Sequence, residues 1–331
     1  MVNVTQAVLD IDVIKDAVDR ACRAPSLHNS QPWRWVTEGN VLHLFSDPMR
    51  IGHSTDSTGR EVIISCGAAL GHLRVAMTAK GFQANIERFP NPNNPDHLAS
   101  VYFSPMEFVT DAHRALAQAI DRRRTDRLPF APPSRWDSFE PVLRDAVDPS
   151  LAMLTVIADD SRPRLAEASR LTEQLRRYDT SYHTELQWWV SQLDSSQGIP
   201  TTSRVSDAEA HQLDVSRDFL PVGTTTRRSE LGPDRAKVLV LSTYDDSRQC
   251  ALQCGEALST VLLECTVAGF ATCTLTHMIE VNTAREIVRM LAGKSGLPQV
   301  LVRVGSVPQG ETPPPSTRRR PITDVLEIRP S

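Results

Sequence analysis

The sequence lacks the patterns that mark several large classes of protein. It contains no CxxC pair, and its six cysteines have no nearby histidines that would complete a zinc site. Because they lie mostly on apolar helical or strand patterns, they are interpreted as reduced core thiols of a cytosolic protein. The formal net charge of −4 gives no general attraction to nucleic acid or to an anionic membrane.

Signals for export, membrane insertion and common catalytic motifs are also missing. No basic and apolar leader opens the chain, and no run of 18 apolar residues occurs, so we expect neither secretion nor a membrane span. The chain contains no GxGxxG, GxxxxGK[ST] or HExxH pattern. We therefore expect no metal site, no nucleophile–base pair among the protein's side chains, and a cytoplasmic location.

What the chain does contain is a stretch of 25 residues that occurs twice, at 66–90 and 254–278. At one gapless offset of 188 residues the copies share Cys, Gly, Ala, Leu, Thr, Gly and Phe, and Arg60 aligns with Arg248. A single repeat at this spacing is too long for a solenoid. In a chain of 331 residues it predicts two copies of one domain in tandem, so that a site can need residues from both.

Helical and strand patterns alternate along both copies, which predicts an α+β or α/β layered fold. The predicted helices are 11–23, 59–80, 111–124, 136–146, 162–190, 248–268 and 281–292. The predicted strands are 33–38, 41–46, 83–88, 99–103, 151–158, 237–243, 271–277 and 299–304. The polar segment 191–235 lacks sustained apolar periodicity, which is typical of a disordered region or a functional lid.

The first segment with chemical character is the loop 24–33, APSLHNSQPW. Two prolines restrict it, while Ser26, Asn29, Ser30 and Gln31 supply hydroxyl and amide groups. Such groups suit the polar edge of a neutral heterocycle. The alternative is a helix-to-strand loop whose amides satisfy their own backbone.

Two basic segments follow later in the chain. Arg123, Thr125 and Arg127 alternate along an extended stretch, where guanidinium groups and a hydroxyl suit a phosphate. The alternative is an ordinary solvated charged face. The second segment, STRRRP at 316–321, precedes apolar residues that indicate packing against the protein. Two arginine clusters in an acidic chain predict one shared anion site.

These segments carry a resemblance to the nitroreductase superfamily of FMN proteins, and more closely to its mycobacterial Acg-type branch. The shared runs are RAPSLHNSQPW, RRTDRLPF and CTLTH, and the resemblance covers essentially the whole chain. It implies a three-layer α/β/α fold. Ordinary members are homodimers whose two FMN sites lie at the interface, and each subunit ends in a basic residue before a strand that reaches its partner.

By this resemblance the chain is a fused dimer with a first half, 1–121, and a second half, 122–331, whose segment 191–235 is a lid. The first half has the flavin loop but no arginine clamp in residues 1–12, and the second half has the clamp without a complete loop. The resemblance therefore implies a single FMN site per chain. Its expected ligands are Ser26, His28, Asn29, Gln31, Arg123, Thr125, Arg127, Thr274, Leu275, Thr276, Ser316, Arg318, Arg319 and Arg320, and Arg227 or Arg228 is considered as a further contact.

Two functions remain open from the sequence. One is an NAD(P)H-dependent reductase of nitro compounds or quinones, in which the flavin carries the hydride and the protein supplies binding and orientation. The other is a protein that binds FMN and keeps nicotinamide from it beneath the lid. His28 is interpreted as a hydrogen-bonding or packing residue of the loop rather than a catalytic base. A monomer is expected, because the fused pair already buries the interface that family dimers share.

Overall fold

The computed structural model describes residues 9–50, 52–191, 196–217, 219, 221–224, 226–311 and 315–330. Parts of two predictions lie outside these residues. They are positions 1–8 of the opening segment 1–12, which carries no arginine clamp, and positions 192–195, 218, 220 and 225 of the predicted lid 191–235.

The described chain up to Arg122 forms three helices and four strands. They are α1 (Ile11–Ala21), β1 (Trp33–Glu38), β2 (Val41–Ser46), α2 (Arg60–Ala79), β3 (Phe82–Arg88), β4 (His97–Pro105) and α3 (Asp111–Arg122). Each element lies within two residues of its predicted bounds. Asp10 caps α1 through its side chain, and Gly81 has the left-handed φ of 84° expected after α2.

The described remainder adds seven helices and five strands. They are α4 (Trp136–Ala146), β5 (Met153–Val156), α5 (Arg162–Arg176), α6 (Thr180–Ser191), α7 (Asp207–Ala210), β6 (Lys237–Thr243), α8 (Arg248–Val267), β7 (Ala271–Leu275), α9 (Asn282–Leu291), β8 (Leu297–Gly305), α10 (Ile322–Val325) and β9 (Leu326–Arg329).

Three predicted elements were wrong in extent. The single helix 162–190 is two helices, because Asp179 accepts a hydrogen bond from the Tyr182 amide and starts α6 anew. The strand 271–277 ends at Leu275, since Thr276 leaves the extended region at φ −124° and ψ −17°. The strand 151–158 shortens to the four residues of β5 that pair with β6.

The strands form two sheets with different surroundings. The first has the order β3-β4-β2-β1-β9 and the second the order β5-β6-β8-β7. In β6, Leu239 and Leu241 join the core around α8, whereas Val238 and Val240 join a second core with α5 and α9. Because alternate residues of a strand point to opposite faces of the sheet, helices cover both faces of the second sheet. This is the predicted α/β/α order.

The chain terminus crosses to the first sheet. Strand β9 pairs in parallel with β1, with Leu326 opposite Trp35. The residues just before β9 are therefore carried to the loop between α1 and β1, although about 290 residues separate the two segments along the chain.

The repeated helices α2 and α8 cross in direct contact at the centre of the protein. A Cβ atom added to Gly67 would lie 2.1 Å from the Leu252 carbonyl oxygen, and one added to Gly255 would lie 2.1 Å from the Ile64 carbonyl oxygen. Both pairs are related by the sequence offset of 188. Each repeat thus presents the same surface to the other, as the two halves of a symmetric dimer interface do.

Both repeated helices are long and apolar enough by composition to cross a membrane. Their apolar windows are, however, 78% and 67% buried inside the protein. They are core helices, and their uniform hydrophobicity follows from burial between the two sheets.

Candidate functional site

Two adjoining cavities lie where α2, α8 and β7 meet the loop after α1. The larger, called the apolar chamber, contains about 940 Å³ of space free of protein atoms, part of it open to solvent. The smaller, called the basic chamber, contains about 590 Å³. Pro25, Ser26, Thr125 and Arg127 line both, so the chambers form one continuous site.

The walls of the apolar chamber are mostly aliphatic and come from both halves of the chain. These residues are Leu27, Ile64, Val205, Leu213, Leu258, Leu275 and Val300. Thr274, Leu275 and Thr276 lie along one wall, where the sequence prediction expected a flavin edge. Thr276 donates from its hydroxyl to the Glu280 carboxylate at 3.1 Å.

The loop that begins the site is a tight and strained turn. His28, Asn29 and Gln31 all have φ between 50° and 59°, in the left-handed region that non-glycine residues seldom occupy. The turn is held by the Ser26 hydroxyl, which accepts from the Gln31 amide at 3.0 Å, and by the Leu27 amide, which donates to Ser65 on α2 at 3.1 Å. This strain fixes the loop against α2 and aims its side chains.

His28 is buried at the wall of the apolar chamber. Its ring lies 5.9 Å from those of Trp189 and Phe219, and neither ring nitrogen has a hydrogen-bond partner among the described residues. Burial, together with the nearby charges of Arg217 and Arg127, holds the pKa of His28 well below its usual value. The neutral imidazole therefore packs against these two rings and keeps unused hydrogen-bonding capacity beside the cavity.

The two loop amides have different positions. Gln31 is fully buried and lines neither chamber; its Nε2 donates to the Ser196 carbonyl at 2.6 Å, and its Oε1 accepts from the Arg320 amide at 2.8 Å. Asn29 lines the basic chamber and donates to the Arg318 carbonyl at 3.4 Å. The amides thus join the loop to the segment after α6 and to the C-terminal basic segment.

Arg123 and Arg319 meet in the basic chamber at the C-terminal end of α1. Arg123 donates to the Arg23 carbonyl at 2.9 Å, and Arg319 donates to the Cys22 carbonyl at 2.9 Å. The last carbonyls of a helix attract cations, so α1 positions both guanidinium groups. The two clusters that lie far apart in sequence are therefore brought together.

These two arginines have no carboxylate within 4.0 Å in the described part of the chain. Burial and the repulsion of neighbouring arginines lower the pKa of Arg123 to about 9 and that of Arg319 to about 10. Enclosed cations without a counter-ion are costly unless an anion joins them. The basic chamber therefore has the electrostatic character of an anion site.

Thr125 and Arg127 line both chambers and so lie at their junction. The Asp126 amide donates to the Thr272 carbonyl at 2.9 Å, which lays this stretch along β7. Asp126 turns away and forms an ion pair with Arg228 at 2.7 Å. Arg127 lies over the Phe219 ring, 5.5 Å from its centroid.

The remaining predicted residues divide between the chamber and its surroundings. Ser316 lines the basic chamber, whereas Arg318 and Arg320 line neither cavity. Arg320 donates to the Asp324 carbonyl at 2.8 Å. Arg227 and Arg228 also lie outside both chambers, where they form ion pairs with acidic residues.

Sequence reasoning missed Glu61, Ser65, Arg217 and Arg303, which also line the apolar chamber. The buried side chain of Arg217 forms an ion pair with Glu280 and donates to the Tyr182 hydroxyl at 3.2 Å. Glu61 follows Arg60, which the repeat had already aligned with Arg248, so the repeat carried a signal for this end of α2. Among the described residues no group of three or more potential metal ligands occurs.

Comparison with known proteins places the chain among close relatives. It is 57% identical over 318 residues, 96% of each chain, to a Mycobacterium tuberculosis protein named "Putative NAD(P)H nitroreductase acg". An uncharacterized protein of the same organism is 56% identical over 321 residues, covering 96% of this chain and 93% of the relative. A third, also named as an NAD(P)H nitroreductase, is 36% identical over 323 residues, covering 96% and 92%.

No family model matches the chain. A crystal structure of a nitroreductase from Anabaena variabilis aligns with 89% of this chain and 73% of its own, at 10% identity and a TM-score of 0.46. Identities of 57% and 36% over almost the full length, with relatives of this name, establish the relationship at the level of sequence. The chain belongs to the family of mycobacterial Acg-type nitroreductase-like proteins.

Proposed function

We propose that the chain binds one FMN, with the phosphate in the basic chamber and the ring system in the apolar chamber. The observation that carries this proposal is the pair Arg123 and Arg319, enclosed, adjacent and without a carboxylate partner among the described residues. A phosphate would supply the missing charge and accept charge-assisted hydrogen bonds from both guanidinium groups.

The apolar chamber fits a flat heterocycle with polar edges. Aliphatic residues form much of its wall, and polar groups also converge on it, including the Ser26 and Thr276 hydroxyls and the unpaired nitrogens of His28. Because buried polar atoms rarely stay unpaired, we expect a ligand to form a hydrogen bond with the His28 imidazole. An apolar wall together with placed polar groups is typical of cofactor sites.

We propose that the bound FMN serves an NAD(P)H-dependent reductase of nitro compounds or quinones. Two of the relatives carry the name "Putative NAD(P)H nitroreductase". FMN, when bound, supplies hydride transfer from nicotinamide to acceptor. The residues of this chain hold the phosphate, orient the ring against β7 and exclude water through the aliphatic walls.

One observation favours the alternative function, in which the protein holds FMN without turnover. The segment 196–219, in its described residues, closes over the site: Gln31 donates to Ser196 at 2.6 Å, and Arg50 donates to the Gln197 side chain at 2.8 Å. Val205, Leu213 and Phe219 complete the wall. We propose that this segment is part of the lid expected from the sequence at 191–235, and that its closure limits access to the flavin.

Anaerobic addition of NADH or NADPH to the FMN-loaded protein separates the two functions. A reductase is expected to bleach the visible flavin band within seconds, because nicotinamide reaches the ring. Dithionite serves as the control that the bound flavin is reducible. Full occupancy with no bleaching by either nucleotide, but bleaching by dithionite, would refute the reductase and support the holding function.

We further propose that the chain arose by duplication and has kept one site of two. At the offset of 188, Ser65 corresponds to Gln253; Ser65 contacts the loop at Leu27, and Gln253 contacts Ser150 at 3.5 Å. The loop around Ser150 thus contacts α8 in the same way as loop 24–33 contacts α2. It lacks the amide side chains that loop 24–33 carries. On α8, the fully buried Glu256 forms an ion pair with the partly buried Arg88 of β3 at 2.7 Å.

The duplication predicts a stoichiometry of one FMN per chain and a monomer in solution. Both are measured on the same sample, from the ratio of flavin to protein absorbance and from the sedimentation coefficient. Two flavins per chain would contradict loss of the second site, and an obligate dimer would contradict the fused-dimer interpretation.

A further inference from the structure

Glu61, in the first turn of α2, separates two cavities. On one side it lines the apolar chamber. On the other it lines a cleft of about 1,490 Å³ that opens to solvent, which we call the outer cleft. Its side chain is only 3% exposed. The carboxyl group therefore lies between solvent and the proposed flavin ring, and no step of the proposed function has yet used it.

A second buried acid, Asp56, lies close to the Glu61 carboxyl; it is 1% exposed, lines the outer cleft as well, and its Oδ1 has no hydrogen-bond partner among the described residues. Two carboxyl groups buried close together favour holding a proton, because two neighbouring negative charges out of water repel each other. Asp56 is held in place because its Oδ2 accepts from the Val62 amide at 2.8 Å. The pair therefore retains a proton at the boundary of the chamber.

The surrounding charges are mixed. Arg60 donates to Glu61 at 2.5 Å, and Arg217 reaches the site from the covering segment, where it is paired with Glu280. Burial and the neighbouring Asp56 raise the pKa of Glu61 to about 8, against the opposing effect of Arg60. Burial likewise raises the pKa of Glu280. The other charged residues of the outer cleft are Arg176, Asp179, Asp246, Arg248 and Arg285.

We propose that Glu61 is the proton donor of the oxidative half-reaction, delivering protons from the outer cleft to an acceptor bound in the apolar chamber. The inference rests on the proposed function and adds to it a protein side chain that acts on the substrate. Asp56 acts as the positioning residue that keeps the proton on the pair.

The step balances for a quinone acceptor. Reduction to the hydroquinone takes up one hydride and one proton. Bound FMN, once reduced, would supply the hydride by giving up its bond to that hydrogen; the hydride would form a new O–H bond at one carbonyl oxygen and leave negative charge on the other. The O–H bond of Glu61 then breaks, its electron pair stays on the carboxylate, and the proton neutralises the second oxygen. The carboxylate regains a proton from water in the outer cleft.

Whether Glu61 and Asp56 retain a proton is tested first without flavin turnover, by infrared spectroscopy of the protein across pH. We expect the carbonyl stretch of a protonated carboxylic acid to disappear with a midpoint near pH 8. Glu61→Gln, which is neutral and similar in shape to the protonated acid, should lack this transition. Glu264→Gln is the matched control, because Glu264 is also a glutamate with a pKa raised by burial but does not line either cavity.

Delivery is tested with the FMN-loaded protein reduced by dithionite and mixed with a soluble benzoquinone. We expect reoxidation of wild type to slow about tenfold per pH unit above pH 8, because the acid form is lost. Glu61→Gln should be slower by about 100-fold or more below pH 8, with a flat pH profile, since a general acid contributes about 10²–10⁴-fold. Glu264→Gln should follow wild type.

The two possible failures are distinguishable. Absence of FMN binding or of flavin reduction contradicts the proposed function and leaves the infrared titration unaffected. The proton route is overturned if the infrared transition near pH 8 persists in Glu61→Gln. It is also overturned if the flavin-loaded Glu61→Gln protein is reoxidised with the wild-type rate and pH profile. The flavin site stands in either case.

Discussion

Replacing Arg123 and Arg319 together with alanine is expected to raise the dissociation constant for FMN by about 10²–10⁴-fold. Arg123 is buried and Arg319 is partly buried at the wall of the basic chamber; neither has a carboxylate partner among the described residues, and each would donate a charge-assisted bond to the phosphate. Such bonds contribute about 1.5–3 kcal/mol each, and about 1.4 kcal/mol corresponds to a tenfold change in affinity. Fluorescence titration of the apoprotein with FMN measures the change.

The control for this prediction is Arg122→Ala, which removes the same charge from an exposed residue of the same segment that lines neither chamber. It should leave FMN affinity within about twofold. A second signature concerns the apoprotein. Arg123→Met should unfold at a higher temperature than wild-type apoprotein, because it replaces a buried, repelled cation by an apolar side chain of similar length. Wild-type FMN retention in the double variant would show that the phosphate lies elsewhere.

Replacing Gly67 or Gly255 with alanine is expected to reduce the free energy of unfolding by about 3 kcal/mol or more. The new methyl group would lie 2.1 Å from a backbone carbonyl oxygen of the opposite helix, which cannot rotate away. Overpacking of a core costs about 1–3 kcal/mol and sometimes more. This cost exceeds the gain of about 1 kcal/mol that alanine brings over glycine in helix propensity. Urea unfolding followed by circular dichroism measures the loss.

Gly71→Ala is the matched control on the same helix. Its added Cβ would lie 2.5 Å from the side chain of Ser259, and 3.2 Å from the nearest backbone atom of the other helix. A smaller loss of stability is therefore expected. The double variant at Gly67 and Gly255 should cost less than the sum of the two, since separating the helices once relieves both contacts. Full additivity, or equal losses at all three glycines, would contradict a shared crossing point.

The local elements were largely predictable because periodicity reports which face of a segment is buried. The repeated helices and the hairpin of β1 and β2 followed from that pattern alone. The predicted helix 162–190 failed for a local reason, since Asp179 interrupts it with a cap that sequence periodicity does not register. The predicted strand 271–277 was too long, because the Thr276 hydroxyl donates to Glu280, a residue outside the strand.

The site was predictable in its residue types and less so in its contacts. The expectation that Thr125 and Arg127 face the same side agrees with their position at the junction of the chambers. Gln31, expected beside a ligand, instead joins Ser196 to the backbone of Arg320. An amide has the same hydrogen-bonding capacity in either role, so composition alone does not distinguish them.

The sequence by itself determined the family, the repeat and the two basic clusters. Only the tertiary structure decided that Arg123 and Arg319 meet, through carbonyls of Arg23 and Cys22 that lie 100 and 297 residues away from them. It also decided that Glu61 lies between two cavities. The physical reason is that a local pattern encodes how much of a side chain is buried, whereas charge pairing and proton retention depend on neighbours that only the fold brings within a few ångströms.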